Sequence, residues 1–516
     1  MTSAGRQNAR RETLVSALLA TVSALAWAAC FQEEPLEILP WVALAPMLLV
    51  LGRRRTFLWG WWFGAVFWLG SMSWLTHTLH TYGGLPQVLS QGLAVLLAIY
   101  LGLGQAVFAW IGGRFWRRGG ASALLGLPSL WVLLEVVRGL PIASFPWNLA
   151  AYAWVDLPGA LALSAWVGAF GVSWLLVFAN TCVALAIRHR QWDLAWVGIL
   201  LAALLLSLAA RFSRGDEGAE SILQRPSGEV RVIQPDSPIV GPEEAWENYR
   251  RLIALSMEAC EGAGRAFGPR LVLWPESATF PMRYASSAQL QDDVARLHRA
   301  GCEVLLGSTT FQGERYFNTV HLTTPEGIAG SYSKRRLVPW GEYIPLKEVL
   351  PFVGKLARNA GEFSPGEDVG LLPWNGEAIG LAICYEVVFP QALAEQVVAG
   401  ASILATVTND AWYGDTSAPW QHFRAVRYRA AENRRPMLRA ALTGVSAMVD
   451  ARGVVVEELG VGERGVISGR VRGRSDLSFF TRWPWASTWA SVLLLAFAIV
   501  RARSPGSPER DHTEEV

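Results

Sequence analysis

Apolar residues are distributed unevenly along the chain. Apolar runs of about 20 residues, the length that crosses a bilayer as a helix, lie near 13–30, 36–52, 56–76, 88–112, 121–138, 161–187 and 193–210, and an eighth near 484–501. Between the seventh and eighth, roughly 215–478 has mixed charge and reads as a water-facing domain. The pattern predicts a transmembrane part over 1–212, a folded insert over 213–478, and a last helix with a polar tail over 479–516. Arg6, Arg10 and Arg11 ahead of the first run would also suit a signal peptide. The runs that follow so soon favour a retained helix.

Within the insert, short β-branched runs alternate with helical stretches. Strands are expected at Glu229–Ile233, Leu271–Trp274, Cys302–Leu306, Phe317–Thr323 and Gly327–Tyr332, the last two joined by a Pro325-Glu326-Gly327 hairpin turn. Further strands are expected at Ala378–Cys384, Ile403–Thr408, Met437–Leu442, Ala447–Asp450, Val454–Glu457 and Val466–Val471. Helices are expected at Pro242–Ala263, Ser287–Ala300, Pro390–Ala399 and Pro419–Asn433. Such alternation makes one layered α/β domain. The stretch Tyr343–Gly366, rich in Pro and Gly, suits a mobile loop at an active site.

Composition supports this division. Of 516 residues, 52% are hydrophobic and only 17% charged, which excludes a disordered chain and disfavours a purely soluble one. The balance of 45 basic and 43 acidic residues is +2, so no global field draws nucleic acid. Arginines group on alternate connections: Arg53–Arg55, Arg114 to Arg118, Arg188 and Arg190, Arg501 and Arg503. By the positive-inside rule both termini are cytoplasmic and the insert is extracytoplasmic. Five cysteines show no CxxC pair and no Cys/His cluster at ligand spacing, so no metal or cofactor is called for. Spacing leaves open whether Cys260 and Cys302 pair.

Candidate chemistry gathers at strand ends, where α/β domains bind ligands. Glu276 follows Leu271–Trp274, Lys334 follows Tyr332, and Cys384 ends a buried-looking strand ahead of Tyr385 and Glu386. Only Lys334, Lys347 and Lys355 are lysines among 45 basic residues, so a Lys beside Arg335 and Arg336 points to a need for a compact ammonium. A cysteine nucleophile needs a base and a stabiliser for its oxyanion. Glu276 and Lys334 could supply them; His298, His321 and His422 occupy no matching strand end. Singly, Cys384 also fits a core thiol and Glu276 a satisfied surface carboxylate. Together the three favour catalysis. Gly460-Val461-Gly462-Glu463-Arg464-Gly465 fits GxGxxG, but strand rather than helix follows, so it reads as a hairpin turn. Asn409 and Trp412 stand in a loop that could line a pocket. Glu135 and Arg138, near the end of the fifth run, are spaced to pair with each other.

At these residues the chain resembles the nitrilase superfamily, whose signature is a Glu-Lys-Cys triad on an αββα sandwich. Trp274-Pro275-Glu276, Lys334 and Cys384-Tyr385-Glu386 stand in that order. With the eight-span frame, the whole chain resembles the membrane-embedded branch, the apolipoprotein N-acyltransferase family. Phe145-Pro146-Trp147, Tyr332 to Pro339, Gly341 to Pro345 and Asn409 to Trp412 carry that likeness, as do Glu135 and Arg138. The resemblance implies a bacterial inner-membrane enzyme, without cofactor. It would move an acyl chain from a phospholipid, phosphatidylethanolamine foremost, to the N-terminal diacylglyceryl-cysteine of apolipoproteins. Cys384 would carry the thioester, Glu276 act as base and Lys334 hold the oxyanion. Glu342 and Glu386 would orient these groups, Tyr385 shape the pocket and Trp412 contact the acyl chain. Gln234–Trp246 departs from the family pattern, which leaves Trp246 without an assigned role. The alternatives are a membrane-bound nitrilase-like amidase and a transporter with a ligand-binding outer domain.

Overall fold

The computed structural model describes residues 3–34, 36–140, 144–220, 227–238, 242–261, 268–344 and 363–503. The N-terminal helices are α1 (Ser3–Ala29), α2 (Ala45–Val50), α3 (Thr56–Ser71), α4 (Trp74–His77), α5 (Gln87–Arg118), α6 (Gly120–Arg138), α7 (Pro158–His189) and α8 (Trp192–Glu220). Among the described residues, six helices are long and apolar enough to cross a membrane. Five are in this part: Arg6–Ala29, Gln87–Arg118, Gly120–Arg138, Gly159–His189 and Ala195–Phe212; the sixth is Ala486–Arg503.

Two of the eight expected runs take another form. The run near 36–52 is a 3₁₀ turn at Leu39–Trp41 followed by the six-residue α2. Pro40 and Pro46 explain the break: each lacks an N–H for a continuous helix and instead starts a new one. The run near 56–76 gives the 16-residue α3, then α4 and a π-helical turn at Thr78–Tyr82. Helix α3 lies tight against α5 because Gly60 and Gly64 leave room; a Cβ on Gly64 would stand 2.7 Å from the Gly102 Cα.

Apolar side chains face outward on these helices at helical spacing. Leu14, Leu18, Val22 and Leu25 do so on α1, and Val197, Leu200, Leu204 and Leu208 on α8. In water these stripes would be large unprotected patches; against hydrocarbon they cost nothing.

Among the described residues the insert holds twelve strands in two six-stranded sheets: β1 (Gly228–Gln234), β2 (Arg270–Leu273), β3 (Cys302–Gln312), β4 (Arg315–Thr324), β5 (Gly327–Ser333), β6 (Leu372–Trp374), β7 (Glu377–Ile383), β8 (Ile403–Thr408), β9 (Met437–Ala441), β10 (Ser446–Val449), β11 (Val455–Leu459) and β12 (Gly465–Val471). One sheet runs β12-β1-β2-β3-β4-β5 and the other β11-β10-β9-β8-β7-β6. Each has three parallel strands at its centre, β1-β2-β3 and β7-β8-β9, flanked by antiparallel neighbours. Residues such as Val232, Leu273, Leu305, Leu381, Val407 and Ala440 form the core between the sheets. Helices α9 (Pro242–Cys260) and α10 (Ala288–Arg299) cover the first sheet.

Helices α11 (Pro390–Val398) and α12 (Ala418–Asn433) cover the second sheet. Their apolar residues Leu393, Phe423, Val426 and Tyr428 belong to one continuous core with Trp27, Phe67, Trp131 and Leu161 of the N-terminal helices and Trp147 of the connection between α6 and α7. The outer helical layer of the sandwich is therefore also the contact layer of the helical bundle. The chain then ends through α13 (Phe479–Arg482) and α14 (Ala486–Arg503), the latter packed on α6.

One expectation changes, one strand is new and one open question closes. Gly460–Gly465 is not a hairpin turn: β11 and β12 lie in different sheets, so the segment carries the chain from one sheet to the other. Strand β6, centred on Pro373, was not expected. Cys260 and Cys302 form a disulfide that ties the end of α9 to the start of β3. Most of the proline- and glycine-rich loop, 345–362, lies outside the described residues.

Candidate active site

The two sheets present their reactive groups at neighbouring strand ends. Glu276 follows β2 and Lys334 follows β5 in one sheet; Cys384 follows β7 and Asn409 follows β8 in the other. Strand β7 stops at Ile383, one residue earlier than its apolar run predicts, and Cys384 opens a 3₁₀ turn through Val388. Its φ of +53° is in the left-handed region. An L-residue there costs roughly 1–2 kcal/mol, so the surroundings must hold the turn.

All three side chains are buried. The Lys334 ammonium donates to Glu342 Oε1 at 2.8 Å and lies 3.4 Å from Glu276 Oε1. Glu276 also accepts from the Asn318 amide at 2.7 Å and, through Oε2, from the Asn409 N–H at 2.9 Å. Burial alone would lower the Lys334 pKa, but the carboxylates of Glu276 and Glu342 outweigh it and hold the amine above its ordinary value, fully charged. Burial pushes the Cys384 thiol up, the Glu276 charge adds to this, and Lys334 opposes it without cancelling it. At rest the site is a neutral thiol beside an ammonium and two carboxylates. It can pass a proton from thiol to carboxylate and offer a cation to a developing oxyanion.

Two family models match this chain: the apolipoprotein N-acyltransferase N-terminal domain over residues 23–182 and the carbon-nitrogen hydrolase family over residues 229–475. An apolipoprotein N-acyltransferase from Geobacter metallireducens is 34% identical over 92% of this chain and 93% of its own. One from Azotobacter vinelandii is 33% identical over the same shares. The chain belongs to the apolipoprotein N-acyltransferase family. Among solved structures, an amidase from Nesterenkonia sp. is 22% identical, covers 49% of this chain and 93% of that one, and gives a TM-score of 0.36.

The other expected residues of this family member take distinct places. Glu342 bridges Lys334 to the loop, its Oε2 accepting from the Val338 N–H at 2.8 Å. Glu386 accepts from the N–H groups of Ile383, Arg335 and Arg336 at 2.7–3.0 Å and from the Tyr332 hydroxyl. It thereby staples the nucleophile turn to the segment just after Lys334. Tyr385 donates to the Ser144 carbonyl at 2.7 Å and stacks on Trp147, with ring centroids 6.3 Å apart. The nucleophile turn is thus joined to the connection between α6 and α7. Trp412 is partly exposed, edge-on to Tyr82 of the π-helical turn at 5.5 Å. Trp246 stands apart on α9, against Tyr249.

Glu135 and Arg138 do not form the expected ion pair. Glu135 turns to the Trp131 indole and the Ala150 N–H, at 3.0 and 2.7 Å. The Arg138 guanidinium lies over the Trp68 ring at 4.7 Å, with Nε and Nη2 buried and without a hydrogen-bond partner among the described residues. Helical spacing brought them near each other; a loop N–H and an indole face claimed them first. Sequence reasoning missed Asn318, which donates to both Glu276 and, at 3.3 Å, Glu342. It also missed the group behind Cys384. His422 donates from Nε2 to the Cys384 carbonyl at 3.1 Å, so the histidine rejected as a base touches the nucleophile's backbone instead.

Proposed function

We propose that this protein transfers a fatty acyl chain from a phospholipid to the α-amino group of an N-terminal diacylglyceryl-cysteine, through a thioester on Cys384. The observation that carries this reading is the Tyr385 bridge to Ser144 and Trp147. A hydrolase of small soluble amides has no use for a nucleophile turn joined to membrane helices, whereas an enzyme that takes acyl chains from a bilayer does. The family membership supports the same choice over the amidase alternative.

In the first half, Glu276 takes the thiol proton as Sγ attacks the sn-1 ester carbonyl, and the Lys334 ammonium holds the oxyanion. Collapse breaks the C–O bond, and the proton on Glu276 passes to the departing lysophospholipid hydroxyl. In the second half, the acceptor amine attacks the thioester and gives its proton to Glu276. Collapse then breaks the C–S bond, and the proton returns to sulfur. Phosphatidylethanolamine is the proposed donor. Glu342, Glu386 and Asn409 hold the acid, base and cation in register; Tyr385 and Trp412 line the acyl path. Glu135 holds the connection that follows Phe145-Pro146-Trp147 through the Ala150 N–H, and Arg138, the buried cation beside it, faces the donor's phosphate.

The placement that goes with this reading has eight membrane segments, two of them the broken runs near 36–52 and 56–76. Both termini are on the cytoplasmic side of the bacterial inner membrane and the α/β domain is outside. Arginine placement supports it, and the Cys260–Cys302 disulfide fits an oxidising compartment. Intact-protein mass spectrometry after incubation with phosphatidylethanolamine and no acceptor tests the mechanism. A hydroxylamine-labile gain of one acyl group in wild type, absent in Cys384→Ala, is expected; an adduct that survives in the variant would remove Cys384 as nucleophile.

A further inference from the structure

Cys384 is held from behind by a buried polar group that the acyl-transfer scheme does not use. His422 Nε2 is 3.1 Å from the Cys384 carbonyl, and its Nδ1 is 3.1 Å from Asp410 Oδ1 and 3.2 Å from Arg439 Nη2. Arg439 also donates to Asp410 Oδ2 at 2.5 Å and to the Val445 carbonyl at 2.7 Å, and Thr408 donates to Asp410 Oδ1. Asp410, His422 and Arg439 are all fully buried. They come from three elements, the turn after β8, helix α12 and strand β9.

The partners determine the proton's place. A carbonyl can only accept, so Nε2 must carry hydrogen. Burial and the neighbouring Arg439 lower the His422 pKa, with Asp410 opposing them. Nδ1 lies between the Asp410 carboxylate and the Arg439 guanidinium, and Nε2 is the donor to the carbonyl. Burial would raise the Asp410 carboxyl, but Arg439 and His422 outweigh it and hold it at about 2. Asp410 stays charged and holds Arg439, and the two together hold the imidazole ring in place.

Helix α12, which carries His422, cannot easily shift. On its other side the Gln421 amide donates to the Ser71 and Phe31 carbonyls at 2.8 and 3.1 Å and accepts from the Trp147 indole at 2.8 Å. Arg424 donates to the Cys30 carbonyl at 2.7 Å, Tyr428 to the Ala151 carbonyl at 2.6 Å, and Glu432 accepts from the Ala169 N–H at 2.6 Å. Trp147 also stacks on the imidazole, with centroids 5.6 Å apart. The donor that reaches Cys384 is fixed to the helical bundle on one side and to the turn after β8 and strand β9 on the other.

We propose that His422 is a positioning residue for the nucleophile: its Nε2–H grips the Cys384 carbonyl and holds the left-handed turn from which Sγ projects. In a trans peptide the C=O and the following N–H point in opposite directions. Fixing the carbonyl toward His422 therefore also fixes the Tyr385 N–H away from it. The inference rests on Cys384 being the acyl-carrying thiol.

The test is single-turnover thioester formation by the full-length protein in detergent with phosphatidylethanolamine, followed by intact mass. Wild type, Cys384→Ala, His422→Leu and His422→Gln are compared. His422→Leu, with no donor, is expected to acylate about 10- to 100-fold more slowly, the range for losing one buried hydrogen bond, with the half-saturating lipid concentration unchanged. His422→Gln keeps an N–H of similar reach and is expected within a few-fold of wild type, with the same pH profile, because the grip needs a donor and not a titrating base. His422→Leu matching wild type overturns the proposal. So does a folded His422→Gln as slow as His422→Leu, or one that has lost an acid limb seen in wild type. If His422→Leu does not fold, His422→Gln decides alone: a folded His422→Gln slowed about 10-fold or more, or one that has lost an acid limb, overturns the proposal. No Cys384-dependent adduct in wild type would instead overturn the acyl-enzyme reading beneath it.

Discussion

Replacing Lys334 by Met removes a buried cation from between two carboxylates. Lys334 is 1% exposed, 2.8 Å from Glu342 and 3.4 Å from Glu276. A Met of similar length leaves both carboxylates buried with only Asn318 between them. Breaking a buried pair costs about 3–5 kcal/mol, and two uncompensated carboxylates this close cannot both stay ionised. By linkage, protonating one of them relieves that burden, so it is heaviest at high pH and eased as pH falls. In wild type the amine itself is held above 10.5, so its contribution is fully present throughout this window and is lost only at strongly alkaline pH. Thermal melts in detergent at pH 5 and pH 8 should show a Lys334→Met deficit that shrinks markedly at the lower pH, against little pH effect on wild type. Thioester formation should fall by at least 10²-fold, on the order of losing one oxyanion donor. A Lys334→Met protein as stable at pH 8 as at pH 5, or one that acylates at the wild-type rate, would refute the electrostatic account of the site.

Glu386→Gln places an NH₂ where Oε1 and Oε2 accept from three backbone N–H groups; a loss of about 1–3 kcal/mol is expected in melts, with slower thioester formation. Asp410→Asn leaves the buried Arg439 without its counter-charge, and about 3–5 kcal/mol should be lost at neutral pH. Because the folded carboxyl is held at about 2, the wild-type contribution is present above 3.8 and declines as pH falls through about 2, so the difference between the proteins should narrow in acid. The disulfide closes a loop across a sequence separation of 42, and Cys260→Ser with Cys302→Ser should cost about 4 kcal/mol by loop-closure entropy; reductant should lower the melting temperature of wild type and leave the double variant unchanged.

The sequence made visible whatever follows from a local period. Strands β7 and β8 read as unbroken apolar runs because both faces are covered, and their ends located Cys384 and Asn409. The paired sheets were less legible: β6 is three residues around Pro373, too short to show alternation, and no local signal says that the turn at Gly460–Gly465 changes sheets. Prolines at 40 and 46 marked the second apolar run as broken, yet hydropathy alone reads it as one span. Glu276, Lys334 and Cys384 were singled out because each stands at or just past a strand end. Asn318 sits within β4, and Asp410, His422 and Arg439 meet only after a turn, a helix and a strand have packed, so nothing in their spacing signals contact.

The resting charge state bears on why such a site can transfer rather than hydrolyse. Cys384 is a thiol with a raised pKa, chiefly through burial, and a thiolate of high pKa is a slow leaving group. A thioester on such a sulfur collapses slowly unless the attacking nucleophile is strong and its proton is removed at once. An amine positioned beside Glu276 meets both conditions; a passing water meets the second and fails the first. Burial of the thiol, which in isolation looks like a handicap for a nucleophile, thereby favours an intermediate that lasts until its lipid-anchored acceptor arrives. On this reasoning, substitutions that open the site to water around Glu276 and Lys334 should raise thioester hydrolysis more than they slow its formation. The two rates are separable in the same mass-spectrometric assay by following adduct decay after the donor is removed.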